Sequence, residues 1–323
     1  MHASGLVSII IPTFNRVDLL VETLDSVLKQ IYENWECIII DDGSTNNTLH
    51  TIQKYIELDG RFRFFSRPDH LTKSGNSCRN FGYEMSRGEF INFFDSDDIM
   101  LPDFLSSRAH KFSNALLQMV FATYTVTDDQ LNFTKQDKFV IKDNLLKAYL
   151  FWECPLLTAS VLFRKDFLAN KVLFDATIKR GQETDFFLNV FKNVSVEDYT
   201  LIDKPTFLYR LHDNTITAKT ISYDPDYSDS LIRIRSKAYF ISTKQSDDEI
   251  KINSHLHLIL LLFKAIKNGD RNALTTFNFY YLKRSKDLTK SNKLEIKVIS
   301  FLLSFTNKTP KFFEKRWIGF ISK

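Results

Sequence analysis

The sequence predicts an α/β fold: a mostly parallel sheet flanked by helices, followed by a helical C-terminal region. Strand-like and helix-like segments alternate through the first 100 residues. The strand segments are near-continuous apolar runs, the pattern of a parallel sheet covered on both faces. Long helical periods take over after residue 228, where the charge balance has also changed sign.

Val7–Ile11 is a β-branched apolar run ended by Pro12, the first strand. Leu20, Leu24, Val27 and Leu28 repeat at helical spacing within Asp18–Gln30. Trp35–Ile40 is a second strand, closed by the turn-forming Asp41-Asp42-Gly43-Ser44. A helix over Thr48–Leu58, a strand over Phe62–Phe65 and a helix over Ser77–Met85 follow. Phe90–Phe94 is the fourth strand and runs into Asp95-Ser96-Asp97-Asp98. Beyond residue 100 the periods are less regular, with strands expected at Leu116–Thr127 and Ala159–Phe163 and a helix at Thr184–Phe191. Ile250–Lys267 and Leu294–Phe305 carry helical patterns. Charge and period both change across Asp213–Asp229, which places domains at 1–217 and 218–323.

The chain has 323 residues, 44% hydrophobic and 25% charged, with 9 Gly and 7 Pro, which suits a large core and excludes collagenous, low-complexity and disordered classes. Cys37, Cys78 and Cys154 lie far apart without a Cys-x-x-Cys. That excludes a disulfide framework and a zinc ribbon and fits a reducing compartment. The opening residues lack a basic segment before their short apolar run, and no stretch approaches 18 apolar residues. A soluble, cytoplasmic protein is the expectation. The net charge of +4 divides into −6 over residues 1–215 and +10 over 216–323. No helix-turn-helix, zinc-finger or RNA-recognition signature accompanies the basic half, so no nucleic-acid partner is expected.

In a parallel sheet, function gathers at the carboxyl edge of the strands. Three polar clusters fall there: Pro12-Thr13-Phe14-Asn15-Arg16, Asp41-Asp42-Gly43-Ser44 and Asp95-Ser96-Asp97-Asp98. Any one of them suits a turn or helix cap. Three in succession suit one crevice. The closely spaced carboxylates of the third repel one another unless a cation or solvent compensates. Mg²⁺ or Mn²⁺, which takes one or two carboxylates with phosphate oxygens and water, fits an Asp-x-Asp at a strand end. The structural alternative is an acidic helix start in which Asp97 or Asp98 only caps.

These strings, with Gly75 and Arg79-Asn80-x-Gly82, occur in the order and approximate spacing of glycosyltransferase family 2, which the chain resembles over about its first 105 residues and more weakly to about residue 217. The resemblance implies a GT-A, Rossmann-like sheet and inverting transfer of a sugar from a nucleotide-sugar donor to a glycan or lipid-linked acceptor. By position it implies that Thr13 and Phe14 flank the base, that Asp42 meets a uracil edge, and that Arg79 shapes the donor pocket. Pro12, Arg16 and Ser96 belong to the same donor-binding strings. Asp95 would face ribose and metal, and Asp97 would ligate the ion. The family often has Tyr at Phe14 and Ala at Cys78, so Cys78 is expected to pack as a small apolar residue.

An acceptor hydroxyl needs a base within reach. Gly181-Gln182-Glu183-Thr184-Asp185 supplies two carboxylates. Alignment with the family gives Glu183 the role, with Asp185 as the alternative, and both suit a helix start. Tyr209-Arg210-Leu211-His212, continuing to Thr217, resembles a family segment whose His can approach the metal. That reading competes with an ordinary hydrogen-bonded His212. His255 and His257, two apart on a helix, do not share a face and are expected to be surface and packing residues.

Residues 283–323 hold 11 Lys and Arg against 3 Asp and Glu, interleaved with Phe and Trp. Such a segment can lie on an anionic membrane. It can equally be a helical appendage whose aromatics pack inward, and the second is expected for the aromatics. Two other classes share parts of this pattern. A haloacid-dehalogenase-like phosphatase also carries Asp-x-Asp, but on its first strand. A silent nucleotide- or carbohydrate-binding protein of the same fold would bind without turnover.

Overall fold

The structure, a computed structural model, describes residues 5–212 and 223–321. It divides into two compact units, Met1–Ala176 with Asn189–Thr215, and Thr177–Leu188 with Ile216–Lys323. Glu183 and Asp185 therefore group with the helical unit.

The first unit opens as the alternation requires: β1 (Val7–Thr13), α1 (Val17–Leu28), β2 (Trp35–Asp41), α2 (Thr48–Leu58), β3 (Phe62–Ser66), α3 (Gly75–Met85) and β4 (Phe90–Phe93). These four strands are parallel, in the order β3-β2-β1-β4. β1 continues through Pro12, which was expected to stop it. Its pairing with β4 ends at Ile10, so Pro12 stands where the ladder is one-sided and a missing N–H is tolerated. Apolar side chains on both faces of β1, β2 and β4 are buried, with Val7, Ile9, Ile10, Ile38, Ile39 and Phe93 wholly covered. Gly82 lets α3 approach this layer: a Cβ there would lie 2.4 Å from Ile10 Cγ2.

The unit then adds β5 (Ile99–Met100), α4 (Phe104–Ala109), β6 (Met119–Thr127), β7 (Phe133–Lys135), α5 (Leu145–Leu150), β8 (Val161–Arg164) and α6 (Lys165–Leu168). After α7 (Gln182–Phe191) comes β9 (Tyr199–Arg210). The sheet extends from β4 in the order β8-β6-β9-β5, with β7 on β6. β8 is antiparallel to β4 and β6, while β9 runs parallel to β6, so the whole sheet is mixed and mostly parallel. β9 was not expected. Asp203-Lys204-Pro205 interrupts its apolar pattern, and the pairing with β6 shifts register beside Pro205.

The second unit is helical: α8 (Pro225–Gln245), α9 (Asp248–Lys267), α10 (Arg271–Phe277), a π turn (Asn278–Leu282), α11 (Lys290–Leu303) and α12 (Lys311–Ile318). Asp224, Asp247, Asp270 and Thr289 cap the first residues of α8, α9, α10 and α11 by accepting from backbone N–H groups. The core gathers Tyr239, Leu258, Leu262, Tyr281 and Trp317. His255 is buried in it, bonding Tyr281 Oη at 2.5 Å and the Trp317 carbonyl at 2.8 Å, while His257 is half-buried on its own helix. The inward packing expected of the tail holds for Phe313, Trp317 and Phe320 and not for Phe301, Phe305 and Phe312, which are exposed.

Candidate active site

The carboxyl ends of β1, β2 and β4 present their three polar clusters on one edge. Asn15 sits at φ 50°, a conformation Asn tolerates. Its N–H donates to Ser44 Oγ at 2.9 Å, and its Oδ1 accepts from the Thr45 N–H at 2.8 Å. Asp41 closes the β2 turn by accepting from the Ser44 N–H at 2.9 Å, with Gly43 at φ 84°. Asp41 is thus a turn-former, whereas Asp42 is buried and ion-paired with Arg67, Nε to Oδ1 at 2.5 Å. Thr13 is buried beside them, and Phe14 is 40% exposed with Lys73 Nζ 3.9 Å from its ring centre.

The β4 cluster brings three carboxylates together. One oxygen each from Asp95, Asp97 and Asp98 can lie within 4.8 Å of the others. Each carboxylate is held differently. Asp95 faces Arg79, Nη2 to Oδ1 at 2.5 Å. Asp97 Oδ2 receives Arg16 Nη1 at 2.5 Å and His212 Nε2 at 3.0 Å. Asp98 is almost wholly buried and accepts from the Arg210 N–H at 3.0 Å, which ties the cluster to the end of β9. Ser96 is buried between them. Such a set of hard oxygen donors with one imidazole fits Mg²⁺ or Mn²⁺ better than a thiophilic metal.

α3 is fixed by its own motif. Asn80 exchanges two bonds with the Phe174 backbone, at 2.8 and 3.1 Å, and Asn76 donates to the Asp175 carbonyl at 2.7 Å. That orientation aims Arg79 at Asp95. Cys78 on the same helix packs against Ile38 and Ile40, and burial pushes its thiol up to about 12. It is not a nucleophile.

The model of glycosyl transferase family 2 matches residues 8–173, just over half of the chain, and spans all three clusters and the α3 motif. The chain belongs to this family. It is a glycosyltransferase that moves a sugar from a nucleotide sugar. An uncharacterized glycosyltransferase of Haemophilus influenzae is 31% identical over 192 residues, 58% of this chain and 73% of that one. A Campylobacter jejuni enzyme named GalNAc(5)-diNAcBac-PP-undecaprenol beta-1,3-glucosyltransferase is 29% identical over 215 residues, 63% of this chain and 64% of that one. Among solved structures, S. aureus TarS 1-349 in complex with UDP-GlcNAc superposes with a TM-score of 0.69 at 19% identity, covering 93% of this chain and 88% of that one. This last likeness establishes the GT-A-like fold.

Within this family 2 enzyme the sheet unit brings together Pro12, Thr13, Phe14, Arg16, Asp42, Arg79, Asp95, Ser96, Asp97 and His212 at one sheet edge or on the elements bonded to it. The segment from Asp213 to Thr217, the rest of the motif that begins at Tyr209, lies outside the described residues. Glu183 and Asp185 stand on α7 in the helical unit. Asp185 is buried and paired with Lys237 of α8, Nζ to Oδ1 at 2.7 Å, while Glu183 is half-buried. Gly181 precedes them at φ 73°, where a Cβ would press on Ile234 Cδ1 at 2.9 Å. Sequence reasoning missed Arg67 and Lys237. Arg67 had a signal, being a cation directly after a strand whose neighbour ends in two aspartates. Lys237 had none, because 52 residues separate it from Asp185.

Proposed function

We propose that the chain catalyses divalent-metal-assisted, inverting transfer of a sugar from a UDP-sugar to a hydroxyl of a glycan or lipid-linked acceptor, in cytoplasmic synthesis of a cell-surface polysaccharide or glycoconjugate. Residues 1–217 would form the catalytic domain and 218–323 a helical appendage. The observation that carries this reading is the cluster of Asp95, Asp97 and Asp98 at the β4 edge, with His212 on the same Asp97 oxygen.

Asp97, Asp95 and His212 would hold Mn²⁺ or Mg²⁺. When bound, the ion neutralises charge developing on the departing diphosphate. Arg16 and Arg79, which pair with Asp97 and Asp95, would meet the phosphates. Thr13 and Phe14 would flank the base, with Pro12 and Ser96 shaping the wall. Arg67 fixes the Asp42 carboxylate through Oδ1, leaving Oδ2 to accept a ring N–H such as that of uracil N3.

Alignment with the family supports Glu183 as the base, with Asp185, ion-paired with Lys237, as the alternative. The acceptor oxygen attacks the anomeric carbon as the bond to the diphosphate oxygen breaks, and the hydroxyl proton passes to Glu183. The named activity of the Campylobacter relative and the UDP-GlcNAc bound to TarS support the acceptor and donor classes.

Calorimetric titration with UDP, GDP and dTDP, each with Mn²⁺ and with EDTA, tests the donor site. Metal-dependent binding of UDP, lost in Asp97→Ala, is expected. Equal binding with EDTA would remove the metal from the proposal, and preference for GDP would remove uracil.

A further inference from the structure

We infer that α11 is a membrane-docking helix whose exposed apolar stripe lies on an anionic lipid surface. Leu294, Val298, Phe301, Leu302 and Phe305 recur at helical spacing and are 63%, 45%, 56%, 58% and 59% exposed. Ile296 and Ser300, on another side of the helix, are buried and seat it on the helical core. An ordinary surface helix would turn charge outward here. Five adjacent apolar side chains in water form a patch that needs a function. A pocket of about 480 Å³ between α10 and α11 deepens the patch, with Leu274, Phe277 and Leu282 facing Val298, Phe301 and Leu302.

Charge identifies what covers it. From residue 288 to 321 there are seven Lys and Arg against Glu295 and Glu314. Glu295 is taken by Arg316 and the Trp317 indole. Lys290 and Lys297 project along one edge of the stripe by helical geometry, and neither makes an ion pair among the described residues. Arg271 stands at its end, its guanidinium 4.7 Å from the Phe305 ring centre. An anionic bilayer meets both demands: Phe and Leu sink below the phosphates, and the lysines extend to them. A second copy docked antiparallel across a two-fold axis would set this cationic edge against its own duplicate.

The full chain is tested by sedimentation with phosphatidylglycerol vesicles and with phosphatidylcholine vesicles, alongside light scattering of the protein alone. Phosphatidylglycerol vesicles are expected to pull the protein down, with little effect from phosphatidylcholine and a loss at high salt. Lys290→Gln and Lys297→Gln should each weaken binding about fivefold. Phe301→Ser with Phe305→Ser should weaken it about tenfold or more. These side chains are exposed, so circular dichroism should be unchanged. Failure of the native chain to bind, or undiminished binding by the Phe variant, overturns the inference. A dimer that the Phe variant abolishes, with vesicles ignored, would assign the face to a second copy. The vesicle result is independent of nucleotide binding, so it stands or falls apart from the proposed reaction.

Discussion

Lys237 Nζ lies 2.7 Å from Oδ1 of Asp185, and the aspartate is almost wholly buried. The pair joins α7 to α8 two residues beyond the proposed base, so the lysine keeps a buried carboxylate compensated. Asp185 Oδ2 makes no hydrogen bond among the described residues, which leaves Lys237 as its main support. Lys237→Met is expected to destabilise the protein by about 1–3 kcal/mol, less than a fully buried pair because the lysine is 30% exposed. Thermal unfolding measures it. Glu183→Gln should remove turnover while nucleotide still binds. Full turnover in Glu183→Gln would return the base role to Asp185.

The Asp42–Arg67 pair makes a different prediction. Arg67 also donates to the carbonyls of Pro68 and Leu71, at 2.9 and 2.5 Å, and so holds both the carboxylate and the following loop. Arg67→Met should raise the donor KM about tenfold or more, because a hydrogen bond to a charged group contributes about 1.5–3 kcal/mol. The value of kcat should change little, since the proposed place of Asp42 is at the base and away from the reacting atoms. A fall in kcat with KM unchanged would contradict the assignment of this pair to base recognition.

The same two pairs mark how far the sequence could be read. Three strand-end clusters were visible because apolar runs and turn residues lie side by side in the chain. The carboxylates of Asp95, Asp97 and Asp98 came with them. Arg16 and His212 were legible as candidates from their motifs, but not their meeting on one Asp97 oxygen or the bond from the Arg210 N–H to Asp98, because Arg16 precedes α1, His212 follows β9 and Arg210 ends it. β9 was hidden by Asp203-Lys204-Pro205, since its stability comes from pairing with β6 and not from its own pattern. The exposed face of α11 was legible as apolar spacing. Only the structure distinguishes that face from the packed side, where Ile296 is buried.

The cysteines give a chemical check on the core. Cys37, Cys78 and Cys154 are free and buried. Burial pushes Cys78 and Cys154 up to about 12 and Cys37 higher still. Native protein is expected to resist a thiol-disulfide reagent near neutral pH, with all three thiols reacting after denaturation. Rapid modification of one thiol in the native state would show that its surroundings open locally.

The helical unit should lose stability in mild acid through His255. Burial lowers its pKa below the ordinary histidine value of about 6.5, and the bond to the Trp317 carbonyl and the charge of Asp287 only partly oppose this. Its folded pKa is therefore below the unfolded one. Between those two values the unfolded chain binds more protons, so stability rises with pH. The contribution is complete above about 6.5 and falls as the pH drops below that value, levelling off once the folded state also protonates. Tyr281 and the Trp317 carbonyl accommodate the neutral ring, with one nitrogen donating and the other able to accept. His255→Gln should flatten this part of the profile while lowering stability at neutral pH, because its amide cannot reproduce both bonds at the same spacing. Denaturant unfolding from pH 5 to 8 reads both effects. An acid-side slope equal in the native and His255→Gln proteins would assign the pH dependence to other groups.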